Sequence, residues 1–251
     1  MNRRIAITLI ALSCLAASAP LQAERILVAV AANFTGTAER LAEAYGSRSG
    51  QRAELVPGST GKHFAQIVNG APFDVLLAAD SERPERLERE GRARPGSRFT
   101  YALGRLVLWS PVAGRVDPAG QVLVTGGFRH LALANPRLAP YGLAARQTLE
   151  HLGLWDRLQG RVVFGENAGQ AFHFVQSGAA EMGFVALAQV RQAGAEDHGW
   201  WAVPATHHAP IEQQAVLLSD APPAAAFLEF LRSEQARDII RAAGYGVPDV
   251  Y

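Results

Sequence analysis

The sequence predicts an α/β protein of two lobes, each a mainly parallel sheet flanked by helices, with a ligand cleft between the lobes. Three observations predict it. Short apolar runs alternate with segments of helical periodicity along most of the chain. Several of those runs are nearly continuous in Val, Leu and Ala, as strands buried on both faces of a parallel sheet require. At four places the passage from strand to helix is rich in Gly and small polar residues, and in open α/β sheets the ligand lies beyond the carboxyl ends of the strands.

The first residues stand outside that fold. Arg3 and Arg4 precede the apolar run Ile5 to Ala17, and Pro20 and Leu21-Gln22-Ala23 follow, the order of a secretory signal at residues 1–23. An apolar run of about 13 residues is too short for a membrane anchor, which needs roughly 20. Cleavage after Ala23 and export are expected. Cys14, the only cysteine, falls in the removed segment, so the exported protein is expected to rely on packing without a disulfide. Ala11-Leu12-Ser13-Cys14 is a poor lipoprotein signal, with Ala where Leu is usual three residues before Cys14.

Ile26 to Val30 predicts the first strand of the mature chain; Phe34, Ala38, Leu41 and Tyr45 recur at helical spacing up to Gly46. A second strand ends at Leu55-Val56, and the helix carrying Phe64 and Ile67 stops at Asn69-Gly70. Val75 to Ala79 is the third strand, and Asp80-Ser81 caps the charged helix Glu82 to Glu90. Leu106-Val107-Leu108 opens a second series: strand Leu131 to Ala134, helix Leu143 to Leu152 ahead of Gly153, strand Val162 to Phe164, helix near Phe172 to Gln176, strand Gly183 to Val185 and a helix to Ala193. Pro210 introduces the strand Ile211 to Leu218. Two last helices carry Phe227, Phe230 and Leu231, then Ile239, Ile240 and Ala243 before Gly244. Apolar strands near 101–109 and 211–218 join the two series, so the chain is expected to cross twice. Lobe 1 then holds 24–104 and 213–251, and lobe 2 holds 105–212.

Composition narrows the function. A chain of 251 residues with 49% apolar content can build two cores and is too apolar to be disordered. Its 24 basic and 23 acidic residues give a formal charge of +1, which becomes −1 without Arg3 and Arg4. No basic excess is present to hold a polyanion by counterion release, so nucleic acid is not an expected partner.

The chemistry is expected at four junctions: Ala32-Asn33-Phe34-Thr35-Gly36, Gly58-Ser59-Thr60-Gly61, Ala139-Pro140-Tyr141-Gly142 and Asn167-Ala168-Gly169-Gln170. Each sets free backbone N–H groups at a helix start, where the dipole favours an anion. Asn33, Ser59, Thr60 and Tyr141 add side-chain donors, and the small neighbours allow close approach. Any one junction alone reads as an ordinary helix cap. Four of them, two to a lobe, point to an anion held between lobes.

Rival motifs fail on spacing. GSTGK has Val56 and His63 where a phosphate-binding loop needs Gly and Ser or Thr. Seven scattered histidines, with His207-His208 adjacent, give no metal-ligand pattern beside His63, His130, His151, His173 and His198. Asp74 and Asp80 have a strand between them, about six residues at 3.3 Å each, too far apart for joint acid/base work. No GxSxG or Cys nucleophile occurs in the mature chain, so an enzyme is not expected. Trp109, Trp155 and Trp200-Trp201 read as core packing. Lys62, the only lysine, reads as part of a solvated helix face, with attraction of an incoming anion as the alternative.

The stretches AANFTGTAERLAEAY, GSTGKHFAQIVNGAPFDVLLAAD, PGSRFTYALGRLVLWS, LALANPRLAPYGLA, ENAGQAFHFVQSGAAEMGFVALAQV and AAGYGVP cover most of the mature chain. Together they resemble the periplasmic molybdate-binding proteins, the receptors of molybdate ABC importers within the type II periplasmic binding fold. The resemblance implies a periplasmic, monomeric receptor without cofactor, with molybdate or tungstate as ligand and an inner-membrane ABC permease as partner. It also implies that the oxyanion meets Ala32 and Asn33 at the first junction, Thr60 with its neighbour Ser59 at the second, Tyr141 at the third and Ala168 at the fourth. Ala32 offers only its N–H where relatives often carry a hydroxyl. Ala186 stands where some relatives contribute a Tyr, and Tyr141 supplies a phenol from the other side. The alternatives are a receptor for sulfate, chromate or another oxyanion, a ligand-sensing partner of a membrane signalling protein, or an exported α/β enzyme using the same cleft.

Overall fold

In the computed structural model, which describes residues 25–195 and 199–248, ten strands form two five-stranded sheets. The expected signal segment with Cys14, His198 and the last three residues assigned to lobe 1 lie outside the described residues. In chain order the elements are β1 (Arg25–Ala31), α1 (Thr35–Ser49), β2 (Arg52–Gly58), α2 (Thr60–Val68), β3 (Val75–Leu77), α3 (Glu82–Arg89), β4 (Phe99–Leu103) and β5 (Leu106–Trp109). They continue with α4 (Val122–Thr125), β6 (Leu131–Ala134), α5 (Pro140–His151), α6 (Trp155–Leu158), β7 (Val162–Gly165), α7 (Ala168–Gln176), β8 (Met182–Ala186) and α8 (Leu187–Gln192). The last are β9 (Trp200–Ala202), β10 (Glu212–Leu217), α9 (Pro222–Phe230) and α10 (Glu234–Ala242).

The first sheet has the order β2-β1-β3-β10-β4 and the second β7-β6-β8-β5-β9. These are the same arrangement used twice. In each, three strands linked by helices run parallel, and a reversed strand separates them from the last. The reversed strand is the one that enters from the other lobe: β5 follows the crossing out of the first sheet and β10 the crossing back. A chain leaving one sheet at the carboxyl edge of its strands arrives at the same edge of the other, and can only run away from it.

The apolar stretch near 101–109 is therefore two strands in different sheets, divided at Gly104 and Arg105. The two crossings lie side by side, with the Gly104 N–H donating to the Ile211 carbonyl at 2.8 Å. Leu103 and Gly246 exchange a pair of backbone hydrogen bonds next to them.

Alternation along the strands divides the core. Val28, Val30, Val75 and Leu77 face α1, α9 and α10 through Phe34, Leu41, Phe227 and Ile240, while Ala29, Leu76 and Val216 face Ile67, Phe73 and Leu87. The second sheet repeats the plan, with Leu106, Leu108, Leu131 and Leu133 against Leu149 on one side and Val107, Trp109 and Ala132 against Val175 and Val190 on the other. Burial on both faces explains why these strands read as continuous apolar runs.

Several local expectations shift. Helix α1 passes through Gly46 and ends at Gly50, whose φ of 72° is open to glycine and whose N–H caps the Gly46 carbonyl at 2.8 Å. Strand β3 stops at Leu77, short of Ala79, because the Ala79 N–H donates to Thr60 Oγ1 at 3.0 Å instead of extending a ladder. Trp200-Trp201 is more than core filling: it builds the edge strand β9, with Trp201 buried edge-on to Phe184. Both acidic residues flanking β3 are structural. Asp74 accepts the Leu27 N–H at 2.8 Å and the Ser219 hydroxyl at 2.7 Å, while Asp80 accepts the Arg83 N–H at 3.1 Å and pairs with its guanidinium.

Two glycine and histidine positions test this packing. A Cβ on Gly142 would lie 2.1 Å from the Ala134 carbonyl oxygen, a backbone atom of a central strand. Gly142→Ala is expected to lower stability by about 3 kcal/mol, the upper end for forced overpacking, in a urea titration; an unchanged midpoint would show that α5 is free to shift. His63 on α2 is buried beneath Gly58 and edge-on to Phe73, and burial holds its pKa below the ordinary imidazole value. The unfolded chain therefore takes up a proton before the folded one as pH falls through about 6.5, so stability contributed by neutral His63 is lost below that value. His63→Gln should flatten the decline of the melting temperature between about pH 7.5 and 5.5, and an identical decline in both proteins would assign it elsewhere.

Candidate functional site

The carboxyl ends of the parallel strands in both sheets face each other, and the helices that follow them start there. From the first sheet, β1 leads through a single turn of 3-10 helix, Ala32–Phe34, into α1, and β2 leads through Ser59 into α2. From the second, β6 leads through 135–139 into α5 and β7 through Asn167 into α7. The first residues of these segments come together. Ala31, Ala32, Asn33, Gly58, Ser59, Thr60 and Ala79 of one lobe meet Ala139, Pro140, Tyr141 and Ala168 of the other around a small cavity.

All six expected residues, Ala32, Asn33, Ser59, Thr60, Tyr141 and Ala168, line this one cavity. Larger depressions exist, such as the one bordered by Tyr45, Arg48 and Phe230, but a single helix start borders that one, the Ser233 cap of α10.

No residue of the lining carries an ionisable acid, amine, guanidinium or imidazole. What it does carry are donors. Thr60 Oγ1 accepts the Ala79 N–H at 3.0 Å, and Ser59 Oγ accepts the Lys62 N–H at 3.3 Å as the cap of α2. A hydroxyl that accepts from the backbone keeps its own proton to donate. Both residues are buried and line the cavity.

Tyr141 is 1% exposed; its hydroxyl lies near the Arg105 backbone N–H without a well-formed hydrogen bond to it, and its own proton has no acceptor among the described residues. Burial, followed by the neighbouring phenols of Tyr245 and Tyr101, raises its pKa well above the ordinary tyrosine value, so it remains a donor. A Cβ at Gly104 would come within 2.5 Å of this hydroxyl, which is why the crossing beside it needs a residue without a side chain.

Asn33 departs from the expectation of a side-chain donor. Its Nδ2 donates to Gln213 Oε1 at 2.6 Å and to the Tyr245 hydroxyl at 3.3 Å, while the Tyr245 hydroxyl donates to the Asn33 carbonyl at 2.7 Å. With the amide engaged, Asn33 has its backbone N–H to offer the cavity, as do Ala32 and Ala168 at the first turns of their segments. Ala168 is held from behind, its carbonyl accepting from Gln189 Nε2 at 3.2 Å. Gln213, Tyr245 and Gln189 were not legible as a support layer in the sequence. The missing signal is distance, since Asn33 and Gln213 are 180 residues apart in the chain.

The lobes touch around the cavity. The Gly61 N–H donates to the Leu138 carbonyl at 2.9 Å, Arg83 Nη2 to the Arg137 carbonyl at 3.2 Å, and Lys62 Nζ lies 2.6 Å from Glu166 Oε1. Lys62 is thus half-exposed but paired across the cleft, and not simply part of a solvated helix face. Among the described residues no group of three or more His, Cys, Asp or Glu could hold an ion, and His151 and His207 stack on each other at 4.3 Å.

Comparison with known proteins agrees with this architecture. Residues 26–246 match the model of the bacterial extracellular solute-binding protein family. The molybdate-binding protein ModA of Azotobacter vinelandii is 46% identical over 230 residues, 90% of this chain and 91% of that protein. ModA of Rhodobacter capsulatus is 42% identical over 229 residues, 90% of each chain. Among solved structures, the periplasmic molybdate-binding protein of Azotobacter vinelandii superposes with a TM-score of 0.86 at 47% identity, covering 89% of this chain and all of that one. Its two-lobe type II periplasmic binding fold is the fold described above. The chain belongs to the bacterial extracellular solute-binding protein family.

Proposed function

We propose that this chain is an exported, non-enzymatic receptor that closes its two lobes around molybdate, with tungstate as the alternative cargo, and presents the closed form to an inner-membrane ABC permease. In this reading residues 1–23 direct export to the periplasm and are removed, and the receptor works as a monomer without a cofactor. The observation that carries it is the composition of the cavity: hydroxyl and N–H donors from both lobes, with no acid, amine, guanidinium or imidazole in the lining. The relatives named for molybdate support the choice of oxyanion.

The chemistry follows from counting protons. A tetrahedral dianion taken out of water needs its oxygens satisfied, and neutral donors at helix N-termini do this without a buried countercharge. Ser59, Thr60 and Tyr141 supply O–H groups, and Ala32, Asn33 and Ala168 supply N–H groups. Molybdate and tungstate carry no proton at neutral pH, whereas phosphate largely retains one and would bring a donor into a site made of donors. Leaving that proton unpaired costs about 1–3 kcal/mol. Sulfate matches molybdate in charge, so only the cavity radius distinguishes it. Because donors from both lobes meet one ion, the ion binds the closed state more tightly than the open one and shifts the population toward closure.

Two outcomes are expected. In a thermal-shift panel at fixed ionic strength, molybdate and tungstate at about 100 times their Kd add about 2.7 kcal/mol to stability and phosphate adds nothing; a phosphate shift as large as that of molybdate would refute the donor-only account. Tyr141→Phe keeps the ring packing and removes one hydrogen bond to a charged ligand, which should weaken molybdate binding by about 1.5–3 kcal/mol in calorimetry without lowering the melting temperature of the free protein. Wild-type affinity in that variant would remove Tyr141 from the site.

A further inference from the structure

Lys62 stands on the first turn of α2, directly after the Thr60 and Gly61 that open it, and Glu166 directly precedes the Asn167 cap of α7. Their side chains, 53% and 47% exposed, meet at 2.6 Å over the rim of the cavity that Ser59, Thr60 and Ala168 line. One residue belongs to each lobe, so the pair exists only while the lobes are together. We infer that Lys62 draws the dianion into the open cleft and that Glu166 takes over its charge on closure, so that the pair gates anion exchange. The inference rests on the reading of the cavity as a molybdate site.

The argument is one of range. Hydroxyls and N–H groups act over contact distance, so the neutral lining cannot attract an ion from solution. A lysine ammonium acts over about one Debye length, roughly 8 Å at physiological salt. Elsewhere at this rim Asp80 is paired with Arg83 on the same lobe, and the Arg83 guanidinium also reaches the Arg137 carbonyl. When the lobes part, Lys62 is left without Glu166 beside the Ser59 and Thr60 hydroxyls, and its positive charge faces the place where the anion lands. When they close, Glu166 neutralises it. The closed site then holds its cargo by neutral donors alone, and release to a permease does not have to overcome a lysine.

The test uses the mature protein with Lys62→Gln, Lys62→Arg and Glu166→Gln, substitutions of half-exposed side chains. Calorimetry gives Kd for molybdate, chase of labelled molybdate gives the release rate, and their ratio gives association, each at low and high salt. Association to Lys62→Gln is expected to fall about two- to fivefold at low salt and to lose its salt dependence. Lys62→Arg should retain both, and Glu166→Gln, which leaves Lys62 unneutralised in the closed state, should release molybdate about two- to fivefold more slowly without slowing association; faster release from Glu166→Gln would overturn the inference. Wild-type association and salt slope in Lys62→Gln, or an equal loss in Lys62→Arg, would overturn the inference alone. A wild-type protein that does not bind molybdate would overturn the reading of the cavity and this inference together.

Discussion

The first N–H groups of a helix have no carbonyl to meet inside it, and in this chain four helical segments start around the same small cavity. Much of the architecture serves to bring those starts together. Parallel strands align their carboxyl ends along one edge of each sheet, the following helices begin at that edge, and two such sheets set edge to edge enclose the cavity from both sides. Partial charges fixed by the backbone replace the arginine or lysine that would otherwise be needed. An anion site built this way depends on fold geometry more than on side-chain identity, which is why alanine can stand at 32 and 168.

The same geometry links the site to the hinge. The two crossings between sheets pair with each other through Gly104 and Ile211, and the Tyr141 hydroxyl lies against that pair. Gln213, two residues into β10 after the return crossing, holds the Asn33 amide, and Tyr245 holds the Asn33 carbonyl. Segments that must bend when the lobes part are therefore in direct contact with the residues that would touch the ion. Coupling between ligand and closure needs no longer path than this.

Much of the fold could be read locally. Continuous apolar runs marked strands buried on both faces, and periodic Phe, Leu and Ile marked helices. The four junction motifs marked helix starts with donors; Asn33, Ser59, Thr60 and Tyr141, read from them, and Ala32 and Ala168, implied by the family resemblance, line one cavity. What misled was equally local. Gly46 looked like a stop because glycine often is one, but the helix had a better-placed glycine four residues later. Asn33 looked like a donor because its amide is one, but that amide is engaged by Gln213 from the far end of the chain. Lys62 looked solvated because nothing charged is near it in sequence, and its partner lies 104 residues away.

The amino-acid order by itself determined the alternation of elements and the anion-favouring chemistry of the strand-to-helix turns, because each depends on residues within a few positions of one another. Only the tertiary structure decided the reversed strands β5 and β10, the convergence of four turns on one cavity, the engagement of Asn33 and the pairing of Lys62 with Glu166. Those depend on where the chain crosses between sheets. A crossing made at the carboxyl edge reverses the entering strand and sets distant residues side by side, and no local pattern of hydrophobicity records that.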